Sequence, residues 1–195
     1  MTRALLQELG QLLDMLVGAH GHAPLRQSEA LFHGVVIAAG PTSFAIGAEL
    51  EEVSQLDGIR ARDFARMGQH IFDQIERSPL PVVAAIRGYC LGGGLDLALA
   101  CHARVASYDA SLGHPGPTLG LLTGWGGTQR LPRRLGKSGA LQVLLTAQRI
   151  PATQALTLGL LNELVPSQEL LSAACRHAER LYSLTQNASA LLRCC

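Results

Sequence analysis

The chain has 195 residues, which is enough for one well-buried domain. Its formal net charge is only +1, so positive and negative side chains are nearly balanced. Near-neutral charge without a basic cluster argues against a nucleic-acid partner, and because no apolar run reaches about 18 residues we expect no membrane span. Charged residues make up 16% of the chain, below the usual quarter, so we expect part of the surface to be buried against a partner such as another copy.

Cysteine usage and the first residues both indicate a cytoplasmic location. The five cysteines are odd in number and show no CxxC spacing, so we interpret them as reduced thiols. The first residues do not form a signal peptide, since polar residues such as Glu8 and Asp14 interrupt the apolar positions. His20 and His22 have no third ligand nearby, and we therefore expect no metal site.

Apolar periodicity predicts helices that alternate with short strands, which is typical of an α/β domain. The predicted helices span 5–17, 60–77, 95–101, 127–135, 138–146, 152–158 and 167–184. The predicted strands span 34–39, 81–86, 103–107 and 160–165, and the segment 113–128 is irregular because it is dense in Gly and Pro. Ser167 is expected to cap the last helix. We predict a core domain over 1–166 and a C-terminal helical segment over 167–195.

Three consecutive glycines, Gly92, Gly93 and Gly94, follow one predicted strand directly and lead into an apolar helix. Glycines are costly inside regular elements, so their use in this position needs a reason. One interpretation is that the backbone approaches a ligand, since bare amides at a helix N-terminus bind an anion or a developing oxyanion. The other is a tight strand-to-helix turn, and the spacing alone leaves both open.

Nucleotide-binding motifs are incomplete in this chain, so we expect no bound cofactor. Gly136-Lys137-Ser138 resembles the end of a P-loop, but Leu131 stands where the first glycine is required. The glycines at 88 and 92–94 do not fit the GxGxxG register of a dinucleotide site. No GxSxG elbow is present either.

Four stretches taken together resemble the crotonase superfamily, also called the enoyl-CoA hydratase/isomerase superfamily. They are Phe44-Ala-Ile-Gly-Ala-Glu-Leu50, Ala85-Ile-Arg-Gly-Tyr-Cys-Leu-Gly-Gly-Gly-Leu-Asp-Leu-Ala98, Leu119-Gly-Leu-Leu-Thr-Gly-Trp-Gly-Gly-Thr-Gln-Arg-Leu-Pro132 and Ala152-Thr-Gln-Ala-Leu-Thr-Leu-Gly-Leu-Leu-Asn-Glu-Leu-Val-Pro166. The resemblance covers most of residues 5–190. It implies a spiral of ββα units with short parallel sheets and helices outside.

The resemblance also implies that the chain binds an acyl-CoA thioester as substrate. Two backbone N–H groups hold the thioester oxygen in this superfamily, and by position they correspond to Ala48 and Gly93. Backbone donors placed about 2.7–3.1 Å from a developing oxyanion stabilise a thioester enolate. The CoA strand is expected along Ala45, Ile46, Ala48, Glu49, Leu50, Glu51, Gly92 and Gly93. Glu51 stands where a lysine often lies near the phosphates, so phosphate contacts are expected from arginines elsewhere.

The catalytic carboxylates are where the chain departs from the hydratase pattern. A hydratase of this superfamily has two glutamates, and their positions correspond to Asp96 and Gly116. Asp is shorter than Glu by about 1.5 Å, and a misplacement of about 1 Å can cost about 10²-fold in rate. Hydration needs two proton-transfer groups, so efficient hydratase activity is not expected, whereas an isomerase needs only Asp96. His114 is an alternative base, since its pKa suits neutral pH.

The residues leave several alternatives open. Gly116 resembles the naphthoate-synthase branch, where bicarbonate takes the place of a missing carboxylate. His102 stands where the superfamily usually has a structural Asp, which indicates relaxed constraint. Both ends are short compared with superfamily members, so we expect self-association as a trimer or a dimer of trimers. A non-catalytic crotonase-like subunit, a C–C lyase and a thioester hydrolase are the alternatives to a hydratase/isomerase-like enzyme.

Overall fold

The computed structural model of the chain describes the backbone of residues 1–20 and 32–192 and the side chains of residues 1–16 and 32–185. The segment that contains His22 lies outside the described residues. None of the described helices is long and apolar enough to cross a membrane. Within the described part of the chain, Cys90 and Cys101 are free and buried, and Cys175 is free and exposed.

Eight strands form two four-stranded sheets in the described part of the chain. The strands are β1 Val35–Ala38, β2 Ser43–Ala45, β3 Val82–Ile86, β4 Tyr89–Leu91, β5 Ala103–Ser107, β6 Ser111–Gly113, β7 Ile150–Pro151 and β8 Glu163–Val165. The first sheet has the order β1-β3-β5-β8, and all of its pairs are parallel. The second sheet has the order β2-β4-β6-β7, parallel except for the β6-β7 pair.

Helices connect and cover the sheets. Over residues 1–20 and 32–192 they are α1 Arg3–His20, α2 Leu50–Ser54, α3 Gly58–Glu76, α4 Gly93–Ala100, α5 Gly127–Thr146, α6 Ala152–Thr157 and α7 Leu170–Leu192. The chain places one strand in each sheet, then a helix, and repeats this ββα order as β1-β2, β3-β4 and β5-β6. The predicted α/β spiral with short parallel sheets and helices outside is therefore confirmed.

The core lies on both sides of the first sheet. Every residue of β3 is buried, as expected for a parallel strand that is covered on both faces. One face packs with the apolar side of α3, where Phe72 and Ile75 are completely buried. The other face packs against α7 through Ala173, Ala174 and neighbouring residues. Small core residues suit this arrangement, because helices and strands can approach closely.

The structure differs from the predicted elements at several points, among them the short helix α2, which was not predicted. The short strands β2, β4, β6 and β7 escape sequence-based prediction, because two or three residues are too few to show a period. The two helices predicted over 127–146 form one element, α5, that is broken at Gly136, where φ is 68°. The predicted irregular segment contains a 3₁₀ turn over Gly116–Leu119. Ser167 does not cap a helix, since its hydroxyl donates to Asp109 instead.

His102 has a defined structural contact at the point where α4 leads into β5. Its Nδ1 accepts a hydrogen bond from the amide of Val82 at 3.0 Å, and its own amide donates to the carbonyl of Val82 at 2.8 Å. Burial lowers the pKa of His102, which favours the neutral imidazole that such an acceptor requires. The His102 side chain therefore accepts a hydrogen bond from a backbone amide of β3. This contact gives the histidine a structural role, so relaxed constraint is not needed to explain its presence at position 102.

Candidate active site

A cavity of about 480 Å³ lies where the second sheet meets the N-terminus of α4. Its lining combines backbone at Gly47 and Gly93 with the buried side chains of Asp96 and His114. Apolar residues complete the walls, among them Val53, Leu56, Phe64, Leu119, Leu121, Leu122, Trp125 and Leu144. A mostly apolar cavity with a few convergent polar groups is the usual form of a small-molecule site.

The chain after β2 crosses directly over the N-terminus of α4. Gly47 has a φ of 100°, and a methyl group built on it would lie 3.3 Å from the amide nitrogen of Gly93. A methyl group on Gly94 would overlap the carbonyl of Ala45. Of the backbone–backbone hydrogen bonds in turns, loops and caps among residues 1–20 and 32–192, none uses the amide of Ala48 or of Gly93. The glycines at 47 and 94 are therefore needed for this close approach.

Trp125 forms one wall beside Gly93. A methyl group built on Gly93 or on Gly68 of α3 would overlap the indole ring, so the ring lies between two glycines. The ring also makes edge contacts with Phe64 and Phe72, at centroid distances of 5.3 and 5.8 Å. These contacts fix the wall of the cavity beside Gly93.

Arg130 of α5 holds the loop of Trp125 in place. Its guanidinium donates to the carbonyl of Trp125 at 3.1 Å and to the carboxylates of Asp73 and Glu76 on α3 at 2.7 and 2.9 Å. Arg130 is buried, and its charge is therefore matched by two acidic partners. This network joins the loop to α3.

Asp96 projects from the first turn of α4 into the cavity. The residue is completely buried, and its Oδ2 accepts a hydrogen bond from the hydroxyl of Thr123. Burial raises the pKa of the Asp96 carboxyl to about 6, while hydrogen bonds from Thr123 and from the amides of Trp125 and Gly127 act in the opposite direction. A carboxyl that titrates near neutrality can both accept and donate a proton.

His114 lies next to Asp96, from the loop after β6. Its Nε2 is 3.4 Å from Oδ1 of Asp96, and its side chain is 3% exposed. Burial lowers the pKa of His114 to about 4, so the contact joins a carboxyl group to a neutral imidazole and is not an ion pair. Oδ1 of Asp96 and both ring nitrogens of His114 form no hydrogen bond with any described residue. Such orphaned polar atoms at a cavity are typical of a functional site.

Gly116 begins the 3₁₀ turn that follows His114 and lines the same cavity. Its carbonyl accepts from the amide of Leu121 at 2.9 Å, and a methyl group built on it would lie 2.7 Å from the carbonyl oxygen of Leu121. Because that neighbour is backbone, a side chain at 116 requires the loop to move. The close packing of this loop therefore requires glycine at position 116 and excludes a carboxylate there.

The structure brings together most of the residues that the sequence indicated. Asp96, His114 and Gly116 line the cavity with Ala48 and Gly93. The remaining predicted residues that line it are Ile46, Glu49, Leu50 and Gly92. Ala45 and Glu51 do not line this cavity, since Ala45 packs against Gly94. No group of three or more His, Cys, Asp or Glu suited to a metal occurs within 1–16 and 32–185.

Sequence reasoning did not assign Thr123, Trp125 or Gly127 to the site. All three belong to the third stretch that carried the resemblance, but nothing in their spacing indicated contact with α4. A methyl group on Gly127 would overlap Oδ1 of Asp96, so this glycine makes room for the carboxyl group. Trp125 is the only tryptophan of the chain, which is a signal for a special position in a sequence poor in aromatic residues.

The fold is an α/β spiral of ββα units whose cavity contains a buried acid, Asp96. The family model for enoyl-CoA hydratase/isomerase matches residues 22–194, and the chain belongs to that family. Three solved structures show the same relationship. They are an enoyl-CoA hydratase from Bacillus anthracis, DspI from Pseudomonas aeruginosa and an enoyl-CoA hydratase subunit I from Geobacillus kaustophilus.

Similarity to these structures extends over nearly the whole chain. The Bacillus anthracis protein is 34% identical over 97% of this chain and 73% of its own, with a TM-score of 0.80. DspI is 32% identical over 98% of this chain and 76% of its own, with a TM-score of 0.83. The Geobacillus protein is 30% identical over 99% and 70%, also at 0.83. The chain thus spans about three quarters of the length of these relatives.

Proposed function

We propose that the chain is an acyl-CoA isomerase of the enoyl-CoA hydratase/isomerase type, in which Asp96 moves a proton at the carbon next to the thioester. The observation that carries the proposal is a buried carboxyl group in the same cavity as the backbone of Ala48 and Gly93. Together these groups supply a base and a place for the charge that the base creates.

In the proposed reaction, the carbonyl oxygen of a 3-enoyl thioester accepts hydrogen bonds from the two amides. Asp96 takes a proton from C2, and the electron pair of the broken C–H bond passes into the C1–C2 bond, which leaves the negative charge on the oxygen. Asp96 then returns the proton to C4, and the double bond moves to C2–C3. One amide donor of this kind is typically worth about 10²–10³ in rate.

Isomerisation is preferred to other reactions because it needs one proton-transfer group and no second carboxylate. The backbone at Leu121 leaves no room for a side chain at Gly116, so position 116 supplies no second carboxylate to the cavity. A pKa of about 6 for the Asp96 carboxyl also suits proton transfer in both directions. The ionised form dominates at neutral pH and can accept a proton, and the protonated form returns that proton easily. The acyl chain would extend along the apolar walls of the cavity.

The test is a panel of acyl-CoA thioesters of different chain length, saturated and unsaturated at C2 or C3. Conversion is followed by chromatography and mass spectrometry in H₂O and in D₂O, where proton transfer at C2 appears as deuterium incorporation. We expect the wild-type chain to isomerise a 3-enoyl-CoA and Asp96→Asn to lose turnover. Binding is measured separately by fluorescence, because the only tryptophan, Trp125, lines the cavity.

The alternatives give different products in the same assay. Free CoA without isomerisation supports a thioester hydrolase, and two carbon fragments support a C–C lyase. Quenching of Trp125 without any chemical change supports a non-catalytic subunit and contradicts the proposal. Full turnover by Asp96→Asn removes Asp96 from the mechanism. A rate increase on adding bicarbonate would assign the space beside Gly116 to an anion.

A further inference from the structure

The loop that precedes α5 is bound by a side chain from the first turn of that same helix. Gly126 lies directly before α5, and its carbonyl accepts a hydrogen bond from the amide of Arg130 at 2.9 Å. The Arg130 side chain packs against this loop, since a methyl group built on Gly126 would overlap Nη1 of Arg130. Nη1 also donates to the carbonyl of Trp125 at 3.1 Å. The guanidinium therefore contacts the loop at two consecutive residues.

The guanidinium of Arg130 joins this loop to α3 through two carboxylates. Nη2 donates to Asp73 at 2.7 Å and to Glu76 at 2.9 Å, and Nε donates to Glu76 at 3.0 Å. The planar guanidinium serves several acceptors in fixed directions, which a lysine ammonium does not. Arg130 is 6% exposed, whereas the carboxylate side chains are 51% and 44% exposed. These three side chains form a clamp between the loop and α3.

Asp96 is bound by the same loop. A methyl group built on Gly127 would overlap Oδ1 of Asp96, and hydrogen bonds from the amides of Trp125 and Gly127 act to lower the pKa of the Asp96 carboxyl. Because Gly127 is the first residue of α5, the carboxyl faces a helix N-terminus, which favours a negative charge. The charge of Arg130 acts in the same direction. The clamp and the Asp96 carboxyl therefore meet at one short loop.

We propose that Arg130 is a positioning residue for Asp96, because the clamp fixes the loop whose amides hold the Asp96 carboxylate for proton transfer. The consequence for turnover rests on the proposed function, in which Asp96 moves the proton. Arg130 does not itself line the cavity, so it acts on a bound thioester only through the loop and Asp96. Its removal changes both the position of the loop amides and the charge near the carboxyl.

The pH response of Asp96 reports on the clamp, because the neighbouring titratable groups do not change charge near pH 6. Burial lowers the pKa of His114 to about 4 and raises the pKa of the Cys90 thiol well above neutrality. Glu49 also lines the cavity but is exposed, so solvent screens its charge. Loss of the Arg130 charge and displacement of the amides both raise the pKa of Asp96. The ionised fraction of Asp96 near neutral pH then falls.

The first experiment compares two arginines of α5. Arg130→Gln removes the charge and the guanidinium, and Arg133→Gln is the matched control, since Arg133 is 69% exposed and lies 3.8 Å from Glu76. The Asp96 carboxyl is titrated by ¹³C NMR, with Asp96→Asn to identify its signal, and isomerisation of a 3-enoyl-CoA is followed over the same pH range. We expect Arg130→Gln to raise the pKa of Asp96 above 6 and to lower turnover near pH 6 by about 10²-fold. Arg133→Gln should match the wild type.

A second variant releases the clamp from α3 and keeps the Arg130 charge. Asp73→Ala combined with Glu76→Ala changes two half-exposed residues, so this variant tests the clamp even if Arg130→Gln does not fold. The loss of two negative charges by itself would lower the pKa of Asp96, whereas displacement of the loop amides raises it. We expect a raised pKa and slower turnover. A lowered pKa would show that only charge acts on Asp96 and would overturn the positioning role.

The outcomes separate this inference from the proposed function. A wild-type chain without isomerisation or exchange contradicts the proposed function, and the NMR titration of Asp96 still tests the clamp. An unchanged Asp96 titration in Arg130→Gln overturns the inference and leaves the isomerase proposal intact. Slower turnover with an unchanged titration overturns it as well, because a general packing defect slows the reaction without moving the pKa of Asp96.

Discussion

Asp96 is held in an environment that disfavours its charge. The side chain is completely buried at the start of α4, and burial raises the pKa of its carboxyl to about 6 from the ordinary value of 3.8. An unfolded chain exposes the same carboxyl to water. Ionising Asp96 is therefore less favourable in the folded chain, and the resulting loss of stability depends on pH.

We predict that Asp96→Asn stabilises the folded chain above pH 6 while it abolishes turnover. The pKa of Asp96 is higher in the folded chain than in the unfolded chain. The stability of the wild-type chain therefore falls as pH rises from about 3.8 to about 6, and the destabilisation by the ionised Asp96 is constant above that pH. A shift of about two pKa units corresponds to about 2–3 kcal/mol. Urea unfolding of both proteins at several pH values measures the difference.

The pH dependence is the internal control for this prediction. The advantage of Asp96→Asn should shrink toward zero as pH approaches 4, since Asp96 is then protonated in both the folded and the unfolded wild-type chain. Other titrating groups are common to both proteins and cancel in the difference. A variant that is less stable than the wild type at neutral pH would show that burial does not disfavour the Asp96 charge.

Gly127 decides where the Asp96 carboxyl can lie. A methyl group at this position would overlap Oδ1 of Asp96 and lie 2.8 Å from Cγ2 of Thr123. We predict that Gly127→Ala lowers kcat/KM by about 10²-fold, because a displacement of about 1 Å at a proton-transfer group costs that much. Gly58→Ala is the control, since a methyl group there meets nothing within 4 Å. Equal activity of the two variants would show that Asp96 tolerates displacement.

At the scale of elements, the site depends on how closely α3, α4 and the Trp125 loop approach one another. The indole ring occupies the space that side chains at Gly68 and Gly93 would need. In an isolated helix alanine would be favoured over glycine at such positions by about 1 kcal/mol. The presence of glycine in two neighbouring helices therefore reflects packing around the cavity wall.

We predict that Gly68→Ala destabilises the chain by about 1–3 kcal/mol despite the better helix propensity of alanine, because the added methyl group overlaps Trp125. Gly58→Ala in the same helix should be neutral or slightly stabilising. Thermal unfolding measures both, and the fluorescence of Trp125 should change only in the first variant. If Gly68→Ala is as stable as Gly58→Ala, the ring has room to move and the wall is not fixed.

At the scale of the whole molecule, α5 exposes an apolar face that the rest of the described chain does not cover. Leu141 and Leu145 are one helical turn apart and are 45% and 64% exposed. Charged residues make up 16% of the sequence, so little charge opposes contact between copies. We propose that a second copy of the chain covers this face.

The prediction is a mass of several times 20.7 kDa in solution, with a trimer or a dimer of trimers as the expected forms. Light scattering or sedimentation measures it directly. Leu141→Glu combined with Leu145→Glu should shift the protein toward the monomer, because a carboxylate in an apolar contact is strongly unfavourable. The double substitution Arg62→Glu and Arg66→Glu on α3 is a control for added charge. A monomer at high concentration would contradict the proposal.

Sequence patterns predict the elements with long apolar runs and miss the short ones. β3 is buried along its whole length and follows from an unbroken apolar run, whereas β4 has three residues and no period. The position of Asp96 three residues after Gly93 follows from the order of residues, because that spacing places both in the first turn of one helix. These features are local, so the sequence alone was enough.

The tertiary structure decided which distant residues complete the site. Thr123 donates to Asp96 across 27 positions of sequence, and Trp125 reaches both Gly68 and Gly93 from a loop without periodicity. Whether His114 faced the cavity was likewise beyond the pattern, since residues in an irregular loop have no repeating direction. Local secondary structure follows from residues that are close together in the sequence. The approach of separate loops to one cavity depends instead on the packing of every element between them.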